Sequence, residues 1–263
     1  MITQIDHIVI GVNDLDQAVA DYRTLGFTVV PGGTHTGGLT HNALIGFGDG
    51  TYFELIAFVD PTRRAAHRWW DAIAAGEGVI DFAVGTDDAA GEAERIAGEG
   101  LANDGAADGG RERPDGEQVG WRNLVVPGAA AAAGPFIIED RTPRQLRVPS
   151  GDDAVHPGGF QAVDGLTVFV SDLQAARRIY TTLLDNDGNE IQPSVAGGAG
   201  AYRFPVGDHW VELDTPDETD SALRSALDQR GPAPYTVVLR TSDRSFAGLD
   251  RALTHGVRFE FKQ

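Results

Sequence analysis

Three side chains stand where residues of their type need a partner. His7 lies inside the apolar run Ile5-Asp6-His7-Ile8-Val9-Ile10, and Glu54 and Glu139 close the stretches Tyr52-Phe53-Glu54 and Phe136-Ile137-Ile138-Glu139. Burying an imidazole or a carboxylate unpaired is unfavourable, so each implies a companion. One imidazole with two carboxylates suits a borderline or hard divalent ion and leaves positions for water or substrate oxygens. Such an ion polarises a carbonyl and lets a carboxylate move a proton. The plainer reading is a hydrogen-bonded His7, with Glu54 and Glu139 paired to Arg122 or another arginine.

Other residues could face the same chemistry. His41 and Asn42 begin an apolar strand and offer hydrogen bonds or an extra ligand, or simply cap a turn. Arg122, between Trp121 and Asn123, could clamp a substrate carboxylate through two parallel hydrogen bonds or neutralise the glutamates. Trp69-Trp70, near Arg63, Arg64 and His67, reads as helix packing or an interface. No Gly-x-Gly-x-x-Gly opens a helix, and neither Gly-Lys-Ser/Thr nor Gly-x-Ser-x-Gly occurs, so dinucleotide, P-loop and nucleophile-elbow readings fail.

The elements that must position these residues recur. Ile5-Asp6-His7-Ile8-Val9-Ile10-Gly11-Val12-Asn13-Asp14-Leu15 overlays Val163-Asp164-Gly165-Leu166-Thr167-Val168-Phe169-Val170-Ser171-Asp172-Leu173 at an offset of 158, and Tyr22/Tyr180 and Glu54/Glu212 follow at the same offset. Each copy reads as a strand, an Asp-Leu helix start, a helix with apolar residues at helical spacing, and then three strands. The unit is β-α-β-β-β. A second copy opens with Val79-Ile80-Asp81-Phe82-Ala83-Val84 and ends at Glu139. A fourth opens at 235–239, continues as a helix from Asp243 through Leu253, and stops after 257–261 without its last two strands. In unit three Glu212 has no accompanying histidine, so a structural role is expected for it.

Between these elements, residues 103–120 are polar, acidic and Gly-rich and read as a mobile surface loop. The alanine tract at 128–134 reads as a short helix or loop. Residues 149–159, rich in Pro, Gly and Asp, mark a boundary between one domain over 1–150 and another over 151–263.

Repeated units opening Asp-His-Ile-Val-Ile, with Pro31-Gly32-Gly33-Thr34-His35, Thr40-His41-Asn42-Ala43-Leu44-Ile45, Tyr52-Phe53-Glu54-Leu55-Ile56 and Pro135-Phe136-Ile137-Ile138-Glu139, resemble the vicinal oxygen chelate superfamily, and within it the glyoxalase-like domain. The resemblance covers essentially the whole chain. It implies an α+β fold in which four βαβββ modules, the fourth truncated, pair into two curved, cleft-forming sheets. It also implies metal ligands on the first and last strands of each module. His7 and Glu54 match these in unit one and Glu139 in unit two, with Glu139 as the candidate base of glyoxalase-type chemistry. The fourth position departs from the pattern. Strand alignment puts Phe82 there, which cannot bind metal, and a one-residue shift brings in Asp81. Phe82 joins His41, Asn42 and Arg122 as a substrate-contacting candidate. His156, beside Pro157, resembles a further family feature.

Composition bounds the rest. With 263 residues and 41% hydrophobic content the chain can build a sizeable core, and with no cysteine it has neither disulfides nor thiolate ligands. Thirty-nine acidic against 21 basic residues give a net charge of -18, which repels nucleic acid and anionic membrane. The opening Met1-Ile-Thr-Gln-Ile-Asp-His lacks the basic and apolar regions of a secretory signal, pointing to the cytoplasm. The expected partner is a small molecule, and a sheet edge left open by the truncated unit suits a homodimer. The functional reading is a lyase or isomerase using a divalent metal ion on a small carbonyl compound. The alternative is a metal-free protein that sequesters a small molecule, as bleomycin-resistance proteins do; an extradiol dioxygenase ranks third.

Overall fold

The computed structural model describes residues 1–194, 198–217, 224–225, 227–228, 231–242 and 248–263. The first unit comprises β1 (Ile2–Gly11), α1 (Leu15–Thr24), β2 (Val30–His35), β3 (Thr40–Gly46) and β4 (Tyr52–Phe58). A short helix, α2 (Trp70–Ala75), leads to the second: β5 (Gly78–Thr86), α3 (Ala89–Gly98), β6 (Ala107–Glu112), β7 (Gln118–Leu124) and β8 (Phe136–Asp140). One turn of helix, α4 (Arg144–Arg147), follows. The third unit is β9 (Phe160–Phe169), α5 (Leu173–Leu184), β10 (Asn189–Ile191), β11 (Gly198–Val206) and β12 (His209–Pro216), and β13 (Ala233–Thr241) and β14 (Arg258–Lys262) end the chain.

The Asp-Leu and Asp-Asp signals work as helix starts. Asp14, Asp88 and Asp172 accept the N–H of Gln17, Gly91 and Ala175 at 3.0, 2.9 and 2.8 Å, satisfying a donor that the first turn leaves open.

The eight strands of the first two units close into a barrel in the order β1-β4-β3-β2-β6-β7-β8-β5. The remaining strands form an open six-stranded sheet, β10-β11-β12-β9-β13-β14. In units one and three the first strand pairs in parallel with the last, His7 opposite Tyr52 and Gly165 opposite Trp210. The repeat offset read from the sequence is therefore also the register of the two ladders.

Two expectations change. Residues 103–120 are not a loop throughout: β6 forms there, ladders with β7 and meets β2 at Thr34/Glu112 and His35/Arg111, which closes the barrel. Backbone pairing on both sides overrides a composition poor in strand formers. Secondly, β14 lies parallel beside β13, Thr236 opposite Arg258, so it takes the sheet position of a module's last strand rather than its second. The helix expected from Asp243 lies partly outside the described residues; residues 251–256 form turns. The alanine tract is a 3-10 helix, Pro127–Ala132.

Strand alternation divides the apolar residues of the barrel. Ile8, Ile10, Phe53, Leu55, Phe82 and Val84 point outward and share one core with Leu166, Val168, Val211, Leu213 and Val237 of the open sheet. Val9, Ile56, Phe58, Ala83, Trp121, Phe136 and Ile138 form a second cluster inside the barrel. No helix among the described residues is long and apolar enough to cross a membrane.

Candidate functional site

The barrel encloses a cavity of about 320 Å³. Its wall carries His7 from β1, His35 from β2, Thr40, Asn42 and Leu44 from β3, and Tyr52 and Glu54 from β4. Arg111 from β6, Trp121 and Asn123 from β7, and Phe136 and Ile138 from β8 complete the far side, with His67, Arg68 and Trp69 at one end.

His7 is 2% exposed. Its ring stacks on Tyr52 at 4.6 Å, and its Nδ1 sits 2.6 Å from Oδ1 of Asp6, leaving Nε2 toward the cavity. Arg147 donates to both oxygens of Asp6 at 2.8 and 2.9 Å and to the Tyr52 hydroxyl at 2.8 Å. Arg147 and Arg144 also bind Asp140, so a four-residue charge network braces the imidazole from behind. Burial pushes the Asp6 carboxyl up, but the Arg147 charge and hydrogen bonds outweigh it and hold the group well below the usual carboxylate range.

Glu54 is the cavity's central carboxylate. Asn42 Nδ2 donates to its Oε1 at 2.6 Å, His35 Nε2 lies 3.3 Å from the same oxygen, and His7 Nε2 lies 3.7 Å from Oε2. Burial opposes the charge, yet the contact and field of His35, the field of His7 and the Asn42 amide hold the carboxyl down at about 2. His35 is fixed in turn through Nδ1 to the Thr40 hydroxyl, at 2.9 Å.

The Pro31-Gly32-Gly33 motif makes this seam. A Cβ on Gly32 would stand 2.0 Å from Asn42 Oδ1, and one on Gly33, at φ +133°, would stand 1.9 Å from the Glu112 carbonyl oxygen. Only glycine lets β6 close on β2 while Asn42 reaches Glu54.

Of the residues proposed from sequence, His7, Glu54 and Asn42 come together. The others do not, because a strand sends successive side chains to opposite faces. Glu139 lies on the outer face of the barrel, where its carboxylate accepts the Ala89 N–H at the start of α3 and an N–H of Arg141, each at 3.1 Å. Phe82, fully buried, points into the core shared with the open sheet. Arg122 pairs with the exposed Asp108 at 3.1 Å. His41 alternates with the lining residues Thr40 and Asn42 and does not line the cavity. Asp81 turns inward but is held by Arg68 and by Trp69 Nε1, the latter at 2.8 Å.

The ladders show why the second half departs. His7 opposes Tyr52 and Val9 opposes Glu54; in unit two Ala83 opposes Phe136 and Gly85 opposes Ile138. The helix starts Asp14 and Asp88 and the β1/β5 ladder, in which His7 opposes Ala83 and Val9 opposes Asp81, relate the two units by 74 residues, so the counterparts of His7 and Glu54 are Asp81 and Phe136. Of the four positions to which the resemblance gives ligands, one is apolar and another, Asp81, is committed to Arg68 and Trp69. Among the described residues no group of three or more His, Asp or Glu side chains is arranged to hold a metal ion. The residues present do not fit the family's metal.

Outside the cavity, His156 is a staple: its Nδ1 accepts the Thr28 N–H and its Nε2–H donates to the Gly46 carbonyl, each at 2.9 Å. Glu212 is fully buried and bound by Ser194 and Arg203. Sequence reasoning missed Asp6, His35, Arg111 and Arg147. Asp6 had a signal, since an Asp in the first strand recurs as Asp81 and Asp164, each met by an arginine.

Comparison with solved structures supports the architecture. A hypothetical protein from Staphylococcus aureus matches with a TM-score of 0.72 at 12% identity, over 98% of this chain and 99% of that one. A variant of 4-hydroxymandelate synthase from Streptomyces coelicolor gives a TM-score of 0.60 at 15% identity, over 92% of this chain and 72% of that one. A fusion of a xylose isomerase-like TIM barrel with 4-hydroxyphenylpyruvate dioxygenase gives 0.57 at 14%, over 93% and 37%. At these identities the likeness is one of fold. No curated protein matches the sequence. The glyoxalase-like domain model matches residues 5–184. Paired βαβββ units, parallel first and last strands and this match agree: the chain belongs to the glyoxalase-like domain family of the vicinal oxygen chelate superfamily.

Proposed function

We propose that the barrel is a metal-free binding site that holds a small oxygenated molecule, after the manner of the bleomycin-resistance branch of the superfamily. The observation that carries this reading is that the counterparts of His7 and Glu54 in unit two are Asp81, already bound by Arg68 and Trp69, and the apolar Phe136. A cavity of about 320 Å³, at the small end for ligand sites, with aromatic walls and a few convergent polar groups has the make-up of a small-molecule pocket. The test is a thermal-shift and calorimetric screen of small carbonyl, hydroxyl and carboxyl compounds in chelator, beside elemental analysis of protein purified without chelator. Binding that persists in chelator is expected. Stoichiometric metal lost in His7→Ala, with ligand binding only when metal is present, would overturn it.

A second reading, a lyase or isomerase on a carbonyl compound, is favoured by the 2.6 Å contact of Asp6 with His7. A carboxylate behind Nδ1 orients the ring and leaves Nε2 to exchange a proton with a bound molecule. Solvent deuterium appearing at a ligand carbon, lost in His7→Ala, would establish it. A dioxygenase draws no support from the open sheet, where Gly165 stands for His7 and Glu212 is already bound by Arg203.

A further inference from the structure

We infer that the molecule taken by the barrel is a small flat carboxylate, its charge docked on Arg111 and its body against the aromatic wall. The inference rests on the binding reading above and names its ligand class. Arg111 is 3% exposed and lines the cavity. Its hydrogen bonds go to two main-chain carbonyls, of Gly32 and, at 2.9 Å, of Arg147. Among the described residues no carboxylate lies within ion-pairing distance of it. The other arginines around the cavity all have one: Arg68 has Asp81, and Arg144 and Arg147 share Asp6 and Asp140.

A buried guanidinium without a counter-charge is an unfavourable arrangement, and the groups that ordinarily relieve it are acids. Carbonyl oxygens satisfy two of its five N–H donors and none of its charge. Of the acids lining the cavity, Glu54, whose field reaches Arg111, is already covered by Asn42 and His35, and Asp108 is paired with Arg122. Arg111 is held opposite His35 in the closing ladder, so its place is fixed before any ligand arrives. A planar fork fixed in this way matches a carboxylate. Trp121 and Phe136, on neighbouring strands of the same wall, offer flat apolar faces to the rest of the molecule.

The probes are benzoate and phenylacetate against their uncharged amides, benzamide and phenylacetamide, titrated calorimetrically into the full chain in chelator and phosphate-free buffer. Each acid should bind about ten- to hundredfold tighter than its amide, the range for a charge-assisted pair. Arg111→Gln should lose that preference while keeping the amide affinity, and Arg111→Lys should keep part of it. Equal affinity of acid and amide for the unaltered protein overturns the inference and needs no variant, so a variant that fails to fold does not shelter it. A preference that survives in Arg111→Gln also overturns it. Binding of none of the four probes overturns it too, whereas the binding reading falls if the wider screen also returns nothing or if binding there requires metal.

Discussion

Glu54 and Phe136 occupy the same place in the two halves of the barrel. Glu54 opposes Val9, two positions beyond His7, and Phe136 opposes Ala83, two positions beyond Asp81. The backbone thus keeps the near-symmetry of a four-ligand site, while in the second half Phe136 is apolar and Asp81 is committed to Arg68 and Trp69.

Restoring the other half should create what the chain lacks. In Asp81→His/Phe136→Glu, two imidazoles and two carboxylates would face one another inside the barrel, a set suited to a divalent ion. The double variant should take up about one equivalent of Ni²⁺ or Zn²⁺ and melt higher in its presence, by about 2.7 kcal/mol at a hundredfold excess over the dissociation constant. Calorimetry and metal-dependent melting read this directly. A folded double variant that ignores both metals would show that more than ligand identity separates this barrel from a metal site.

The charge network behind His7 should be costly to break. Asp6 is fully buried and Arg147 is 3% exposed, and each contact between them depends on the other remaining. Removing one partner of such a pair leaves a buried charge and destabilises by about 3–5 kcal/mol. Arg147→Ala should lose stability on that scale in urea unfolding. Arg122→Ala, which breaks only a pair with the exposed Asp108, should lose about 1 kcal/mol or less.

Acid should destabilise the protein through the same interior. The Glu54 carboxyl drops from an ordinary 4.5 to about 2 in the folded chain, and Asp6 is lowered as well. A depressed carboxyl contributes stability that is fully present above its unfolded value and is lost as pH falls through the folded one. Stability should therefore decline from about pH 5 down to about pH 2, with Glu54 accounting for about 3 kcal/mol of the loss. Glu54→Gln, which keeps the shape and removes the titration, should flatten the curve in that window. An unchanged slope would show that the charge of Glu54 is not stabilised by His35 and Asn42.

The fold was largely legible in the sequence and the site only in part. Repeats at a fixed offset are long and redundant, so His7/Gly165 and Glu54/Glu212 align without ambiguity and the ladders obey that alignment. Unit two has no such redundancy against unit one. There a slip of one residue exchanges the two faces of a strand, so Phe82 was expected first where Asp81, the one-residue alternative, stands, and Glu139 was expected inside the barrel although Phe136 takes the place of Glu54. Arg111 was hidden for a different reason. It lies in a Gly-rich, acidic stretch, and only the pairing of β6 with β2 and β7 brings it inside.

The two sheets should unfold together although their strands belong to separate halves of the chain. Their apolar residues form one core, in which Phe27 stacks on Phe160 at 4.2 Å and Phe53 packs on Phe259 at 5.7 Å. Polar ties cross as well: the Tyr22 hydroxyl donates to the Thr254 carbonyl at 3.1 Å, and His255 sits between Asp21 and Glu77 at 3.1 and 2.9 Å. Neither half can open without exposing the face of the other. Of the four tryptophans, Trp69, Trp70 and Trp121 report on the barrel side and Trp210 on the open sheet, beneath Arg203 at 4.1 Å. Fluorescence of the unaltered protein, fluorescence of Trp210→Phe corrected for its own stability, and far-ultraviolet circular dichroism should give coincident urea transitions, as a single cooperative unit requires. Separate midpoints, with Trp210 changing first, would mean that the shared core is weaker than the barrel it leans on and that the open sheet is a dispensable layer.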